Sequence, residues 1–318
     1  MVRATGTSSS AEILSLSRAR AAAYIDALGL PRNTLSAVFS LPSPRGASPR
    51  FRDLSPRDQA MLQVALPLMA SPALMMRAQA LIDEGHLLAT WVIAGSSRDP
   101  SRTPYLLLAE GEGEDGFEIK PVRNRDTVVR SFLPYLDVGL PVSETEGFEL
   151  PVEAFLVLVA LCDLHRRARF SSGLDHTATP EAFTTRDLEL ALADGRQHAD
   201  PRWMLPFLRD IWPELPAGKD LGRGLQALAN GGWAHQRDGD VVLSQEGLRF
   251  ARSLDQRLSM LSFWAVGATH EGDLATRSAL FVRSPWHLWC FDVGGEDGKR
   301  AIGASLGVAT TYGLLQDL

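Results

Sequence analysis

The chain has 318 residues, 45% of them hydrophobic and 22% charged, and a formal charge of −6. That length exceeds the usual single domain, and the apolar share supports a sizeable core without staples. The negative balance argues against broad adhesion to nucleic acid or anionic lipid, leaving only local basic faces.

Two cysteines, Cys162 and Cys290, sit inside apolar runs ("LVALCDLH", "HLWCFDV") and read as buried, inert thiols rather than a disulfide framework. The start of the chain is polar, then amphipathic. The most apolar stretch, "FLVLVALC" at 155–162, is too short for a bilayer and ends in "DLHRRAR". These features predict a soluble bacterial protein of the cytoplasm, without membrane insertion.

Residues 1–10 read as an unstructured Ser/Thr-rich lead-in, and the spacing of Leu14, Ala19, Ala22, Ile25 and Leu28 predicts a helix over 11–28. "SLPSPRGASPRFRDLSPRD" (40–58) reads as an irregular crossing. Helices are expected from Ser55 to Glu84, divided near Ser71 and Pro72. Short runs then follow at 86–95, 104–113 and 116–124, where Phe117 and Ile119 alternate with Glu118 and Lys120 as in a half-buried strand. Carboxylate-rich "GEGEDG" lacks the spacing of a calcium loop and reads as a hairpin tip, turned with positive φ at Gly116. Asp126 is the expected cap of the next helix.

"PVEAFLVLVALCDLHRRARF" (151–170) is apolar nearly all round, as a central buried helix is. Arg166, Arg167 and Arg169 gather at its C-terminal end, where the helix dipole favours cations. Two further helices are expected, capped by Thr184 or Thr185 and by Asp200. Strands are then expected over 258–268, 277–284 and 287–295, and a closing helix over 299–318. Trp289, Phe291 and Val293 fall on one face of the last strand, Leu288 and Cys290 on the other, so this strand is expected to be central and buried. Trp286 and His287, beside Pro285, fall in the turn and are the candidate anchor for a protein partner.

"WVIAG" (91–95) and "WAVGA" (264–268) are nearly the same words, at an offset of 264 − 91 = 173. In that register Leu81 and Trp91 meet Leu254 and Trp264; a competing register aligns the two "EDG" triplets at 114–116 and 296–298. Either predicts an α+β fold of two pseudo-repeated halves, each with helices and a three-stranded antiparallel sheet. Joining the two sheets at their edges would remove an exposed edge from each. The expected division is 1–50 (N-terminal helix and crossing), 51–140 (first half), 141–218 (central helical segment) and 219–318 (second half).

The second half opens with "KDLGRGLQALANGGWAHQRDGDVVLSQEGLRFARSL" (219–254): helix, Gly-bounded stop, strand, Asp238-Gly239 turn, strand, and a helix opened by Ser244. That order resembles a winged-helix subdomain. Its DNA-binding residues would be Lys219 and Arg223 on the helix and His235 and Arg237 on the wing. Asp220, Asp238 and Asp240 offset those charges, so a packing role is preferred. Asp163/His165, Asp175/His176 and Asp194/His198 are of metal-ligating type but read as solvated loop residues, with no third ligand set by spacing. No Gly-x-Ser-x-Gly elbow, Walker loop or strand-linked Gly-x-Gly-x-x-Gly occurs, and no metal, cofactor or catalytic residue is assigned.

"ALIDEGHLLATWVIAG…YLLLAEGEGEDGFEIKPVRN…TVVRSFLPYL", its counterpart "SLDQRLSMLSFWAVGA…ALFVRSPWHLWCFDV", and "GLQALANGGWAHQRDGDVVLSQEGLRFA" before the second sheet resemble the layout of the EspG family of ESX (type VII) secretion-associated chaperones. The resemblance covers most of 51–318 in pattern. It implies a quasi-twofold body that holds an aggregation-prone export substrate in the cytosol, and it transfers no binding residue. The function expected is therefore a non-enzymatic chaperone, adaptor or scaffold for a protein partner. The alternative is a winged-helix regulator binding DNA through 219–254.

Overall fold

The computed structural model describes residues 13–37, 51, 54–82, 86–96, 103–110, 116–122, 124–136, 142–143, 147–197, 203–212, 220–268, 273–294 and 300–317. The Ser/Thr-rich lead-in, most of the Pro-rich crossing, the "GEGED" tip, His198, Asp200 and Lys219 lie outside the described residues.

Strand β1 (Leu14–Ser17) precedes helix α1 (Arg18–Ala27), where periodicity predicted one helix from residue 11. "LSLS" alternates: Leu16 is buried opposite Phe117, and Ser17 Oγ then caps the helix by accepting from the Arg20 amide at 3.2 Å. Helix α2 (Pro56–Ala70) follows a Ser55 cap and stops at the expected break. The second predicted helix is instead strand β2 (Leu74–Ile82). "LMMRAQALI" contains good helix formers, but pairing along both of its edges outweighs that propensity.

Strands β3 (His86–Ala94), β4 (Tyr105–Glu110) and β5 (Gly116–Val122) extend the meander begun by β2. Phe117 and Ile119 are buried and Glu118 is exposed, the alternation expected, but Gly116 opens β5 without positive φ. Helix α3 (Arg125–Phe132) starts before Asp126. Its cap is Asn124, whose Oδ1 accepts from the Thr127 amide at 2.9 Å, while Asp126 pairs with Arg130 at 2.7 Å. A 3-10 turn, Leu133–Leu136, follows.

Strand β6 (Phe148–Pro151) leads into α4 (Val152–Asp175), whose first three turns are buried almost all round, as expected. Then come β7 (Ala182–Thr184), α5 (Thr185–Gln197), α6 (Met204–Ile211), α7 (Leu221–Asn230), the hairpin of β8 (Ala234–Arg237) and β9 (Asp240–Leu243), and α8 (Gln245–Asp255). Thr184 caps α5 reciprocally: its Oγ1 accepts from the Asp187 amide at 3.1 Å, and the Asp187 carboxylate accepts from the Thr184 amide at 2.9 Å. Asp238 and Gly239 both take positive φ, 55° and 92°, as the tight β8–β9 turn requires.

Strands β10 (Ser259–Ala268), β11 (Leu274–Arg283), β12 (Leu288–Gly294) and β13 (Arg300–Ser305) form a second meander, closed by α9 (Val308–Asp317). The sequence predicts one helix over 299–318, but β13 takes its first part. Ala301, Gly303 and Ser305 alternate inward there, a period of two written in small residues that carries little apolar signal.

The large sheet has ten antiparallel strands in the order β1-β5-β4-β3-β2-β10-β11-β12-β13-β6, and β7-β9-β8 form a second sheet. Each meander therefore has four strands rather than three. The two join as one sheet where β2 pairs with β10, from Ile82 opposite Ser259 to Leu74 opposite Gly267. The repeated Trp words do not mark matching strands: Trp91 lies on the second strand of its meander and Trp264 on the first of the other. The register that aligned them sets Leu81 of β2 against Leu254 of α8.

One face of the sheet carries two helical layers. Helices α1 and α2 cover Ile93, Leu106, Leu108, Phe117 and Ile119 of the first meander. Helices α4 to α8 cover Met260, Leu280, Val282, Trp289 and Phe291 of the second. The opposite face buries Met76, Val92, Leu107, Phe263 and Phe281 beneath α3, the 3-10 turn and α9. No helix among the described residues is long and apolar enough to cross a membrane.

Candidate protein-binding surface

Residues 284–287 turn β11 into β12, and hydrogen bonds hold this turn from several sides. The Ser284 amide donates to the His287 carbonyl at 2.8 Å, and the His287 amide donates to Ser284 Oγ at 3.2 Å. Arg283 is fully buried, and its guanidinium donates to the carbonyls of Ser284 and of His287, the latter at 3.2 Å. The Trp286 carbonyl accepts from the Ser143 amide at 2.6 Å, and the Ser143 carbonyl accepts from Ser305 Oγ of β13 at 2.7 Å.

Helix α8 supplies the remaining brace. Ser253 Oγ accepts from Trp289 Nε1 at 2.9 Å and lies 3.1 Å from Ser284 Oγ and 3.2 Å from His287 Nδ1. The His287 ring stacks on Trp289 with centroids 5.4 Å apart. Burial, and then the Arg283 charge, push the His287 pKa below its ordinary value. On this braced backbone the Trp286 side chain is 66% exposed. An indole held in water by an ordered backbone loses little conformational entropy on binding, the property that makes aromatic anchors effective.

The strand that follows is buried on the Trp289–Phe291–Val293 face, as its sequence predicted, while on the other face Leu288 is buried, Cys290 half-buried and Asp292 exposed. Trp289, Phe291 and Val293 join the core beneath α4 to α8, while Leu288 and Cys290 pack on the other side. Phe148, Trp233 and Phe250 surround Trp289 and Phe291 with ring centroids 5.0–6.4 Å apart, an aromatic bed under the hairpin. Burial raises the Cys290 thiol to about 12 and that of Cys162 well above its usual value, in keeping with inert thiols.

The other sequence candidates do not converge. Arg223 on α7 lies 3.8 Å from Asp220, and Arg237 on β8 lies 3.8 Å from Asp238; both arginines and His235 are exposed. Asp163 and His165 are buried within α4 rather than in a solvated loop, and the Asp163 carboxylate accepts from the Met204 and Leu205 amides at 3.0 and 2.9 Å. It thereby caps α6 from across the core. The clue in the sequence is indirect: Trp203, the residue before α6, offers no capping oxygen. Asp175 ends α4, His176 takes the left-handed conformation just beyond it, and Asp194 pairs with Arg167 at 3.1 Å. Among the described residues no three His, Cys, Asp or Glu side chains are grouped to hold a metal ion.

Arg166 and Arg169 clasp the end of α8 through Asp255, so the arginine cluster ties helices together as well as facing a dipole. On the face opposite the α1–α2 layer an open cleft of about 160 Å³ lies among Leu107, Ala109, Glu118, Lys120, Phe132 and Tyr135. Sequence reasoning missed Ser143, Ser253, Arg283 and Ser284, because their convergence depends on pairing between distant segments.

Comparison with known proteins adds one likeness. No family model matches the chain, and no curated protein matches its sequence. Among solved structures it is similar to the Mycobacterium tuberculosis type VII secretion system chaperone EspG5, solved in complex with the PE25-PPE41 dimer. The TM-score is 0.40 and the identity 9%, over 96% of this chain and 94% of that chain. At those values the likeness carries nothing about activity or partner.

Proposed function

We propose that the protein is a non-enzymatic chaperone, adaptor or scaffold that binds a protein partner through its large sheet and the turn bearing Trp286. One observation carries this reading: Trp286 is 66% exposed on a backbone braced by Ser143, Ser253, Arg283 and Ser305. A large exposed indole on an ordered turn is costly to leave in water and suits a partner's apolar pocket.

The architecture around it supports a scaffold. We read the chain as two related halves, each an edge strand, covering helices, a four-stranded meander and a closing helix. The segment from β7 to α8 is a winged-helix-like insertion used for packing, since the ends of α7 and β8 carry acidic partners beside Arg223 and Arg237. The setting proposed is the cytoplasm, in service of a secretion or assembly system.

The test is affinity isolation of the full chain from the cell that makes it, beside Trp286→Ala and, as a control, Leu174→Ala at another exposed site. A stoichiometric partner retained by the wild type and the Leu174 variant, and lost with Trp286→Ala, is expected. Absence of any stoichiometric partner contradicts the proposal.

A further inference from the structure

We infer that the Trp286 turn is acid-responsive: protonation of His287 loosens the bracing of residues 284–287, so that the indole is presented in one geometry only while that ring is neutral. The inference rests on the same site as the binding reading, but its physical content does not depend on any partner.

The geometry is specific. His287 Nδ1 lies 3.2 Å from Ser253 Oγ. Trp289 Nε1 has only a hydrogen to give, so it donates to that same oxygen at 2.9 Å. Ser253 then has one hydrogen for two neighbours, Ser284 Oγ at 3.1 Å and His287 Nδ1. With neutral His287 accepting at Nδ1, the Ser253 hydroxyl donates to the ring. Ser284 is free to donate its own hydrogen to the His287 carbonyl at 3.3 Å and accept from the His287 amide. Ser253 Oγ, Ser284 Oγ and His287 Nδ1 each have a partner in that arrangement.

A proton on Nδ1 reverses the bond. The ring must now donate to Ser253, whose oxygen already accepts from Trp289, and the Ser253 hydrogen must swing to Ser284. More costly is the charge. The cationic group acting on His287 is Arg283, which is fully buried and donates to the His287 carbonyl itself. From α8 the ring meets the hydroxyl of Ser253, and from β12 the face of Trp289. The Trp289 ring returns part of the cost through its negative face, but like charges beside a desolvated guanidinium oppose the second proton. The charged ring gains most by leaving the stack for water, and residues 284–287 lose their side-chain tie to α8 when it does.

The test uses the full chain. Amide hydrogen exchange over 283–289, corrected for the intrinsic pH effect, is compared at pH 7.5 and 5.0 in the wild type and in His287→Asn. Asparagine keeps a polar group near Nδ1 and does not titrate. Protection of the turn is expected to fall several-fold more than that of β10 in the wild type and to stay level in His287→Asn. The same fall in both proteins, or no fall in the wild type, overturns the inference. The imidazole C2 proton of His287 gives a second readout: titration at or above the ordinary value of about 6.5 also overturns it. Trp286→Ala, which removes the anchor and leaves the network, should exchange as the wild type does, so failure of the binding proposal is distinguishable.

Discussion

Trp91 and Trp264 stand on either side of Arg77 in one cross-strand row, Trp91 opposite it on β3 and Trp264 opposite it on β10. The guanidinium carbon of Arg77 lies 5.7 Å from the centre of the Trp91 ring. The residues that make the chain look as if it repeats itself are thus neighbours across the join between its two meanders.

Arg77 is therefore expected to stabilise the join. Arg77→Met keeps most of the apolar stem and removes the cation, and should cost about 1 kcal/mol, the scale of a partly desolvated cation–π contact. Arg77→Ala also loses the stem and should cost more, about 2 kcal/mol. Urea unfolding checks both: the midpoint should fall with the slope unchanged. An unshifted midpoint in both variants would remove this role.

The same residues show what could be read from sequence. The α+β class, the four elements from α7 to α8, the Asp238-Gly239 turn, the buried helix α4 and the buried Trp289–Phe291–Val293 face of β12 were legible, because each rests on local chemistry or a strong apolar pattern. Strands β2 and β13 were not. "LMMRAQALI" reads as helix until its two partners are known, and "RAIGAS" alternates in side chains too small to register. The register that aligned the two Trp words failed for the same reason, whereas the competing register on the two "EDG" triplets sets β4 against β12 and β5 against β13. At the candidate site, Trp286 and His287 were visible as a Pro-flanked aromatic turn, whereas Arg283, Ser253 and Ser143 join it only through tertiary pairing.

Asp163 caps a helix far from it in sequence, and its loss should be felt there. Asp163→Ala leaves the buried Met204 and Leu205 amides without acceptors. At about 1–3 kcal/mol for each buried donor left unsatisfied, the chain should lose about 3 kcal/mol. Exchange protection at the start of α6 should fall first. Asp163→Asn, which keeps one acceptor, should lose less. Equal stability of Asp163→Ala and wild type would contradict the cap.

His165 should make global stability fall in acid. It is buried in α4, and its pKa is lowered chiefly by burial; Arg169 and Arg252 add to the lowering, against Asp255 and Glu181. The unfolded chain takes up this proton near pH 6.5, while the folded chain resists it. Its contribution is therefore present above about pH 6.5 and lost as pH falls through the lower folded value. Thermal melts from pH 7.5 to 5.0 should show the decline, and His165→Gln should flatten part of it. A slope unchanged by that substitution would assign the acid sensitivity elsewhere.

The most direct measurement is site-specific photo-crosslinking in the cell that makes the protein, with Trp286→p-benzoylphenylalanine beside Leu174→p-benzoylphenylalanine. Position 286 should yield one discrete protein adduct that position 174 does not give. An empty lane at 286, or the same mixture of adducts at both positions, would contradict a partner docked on the Trp286 turn.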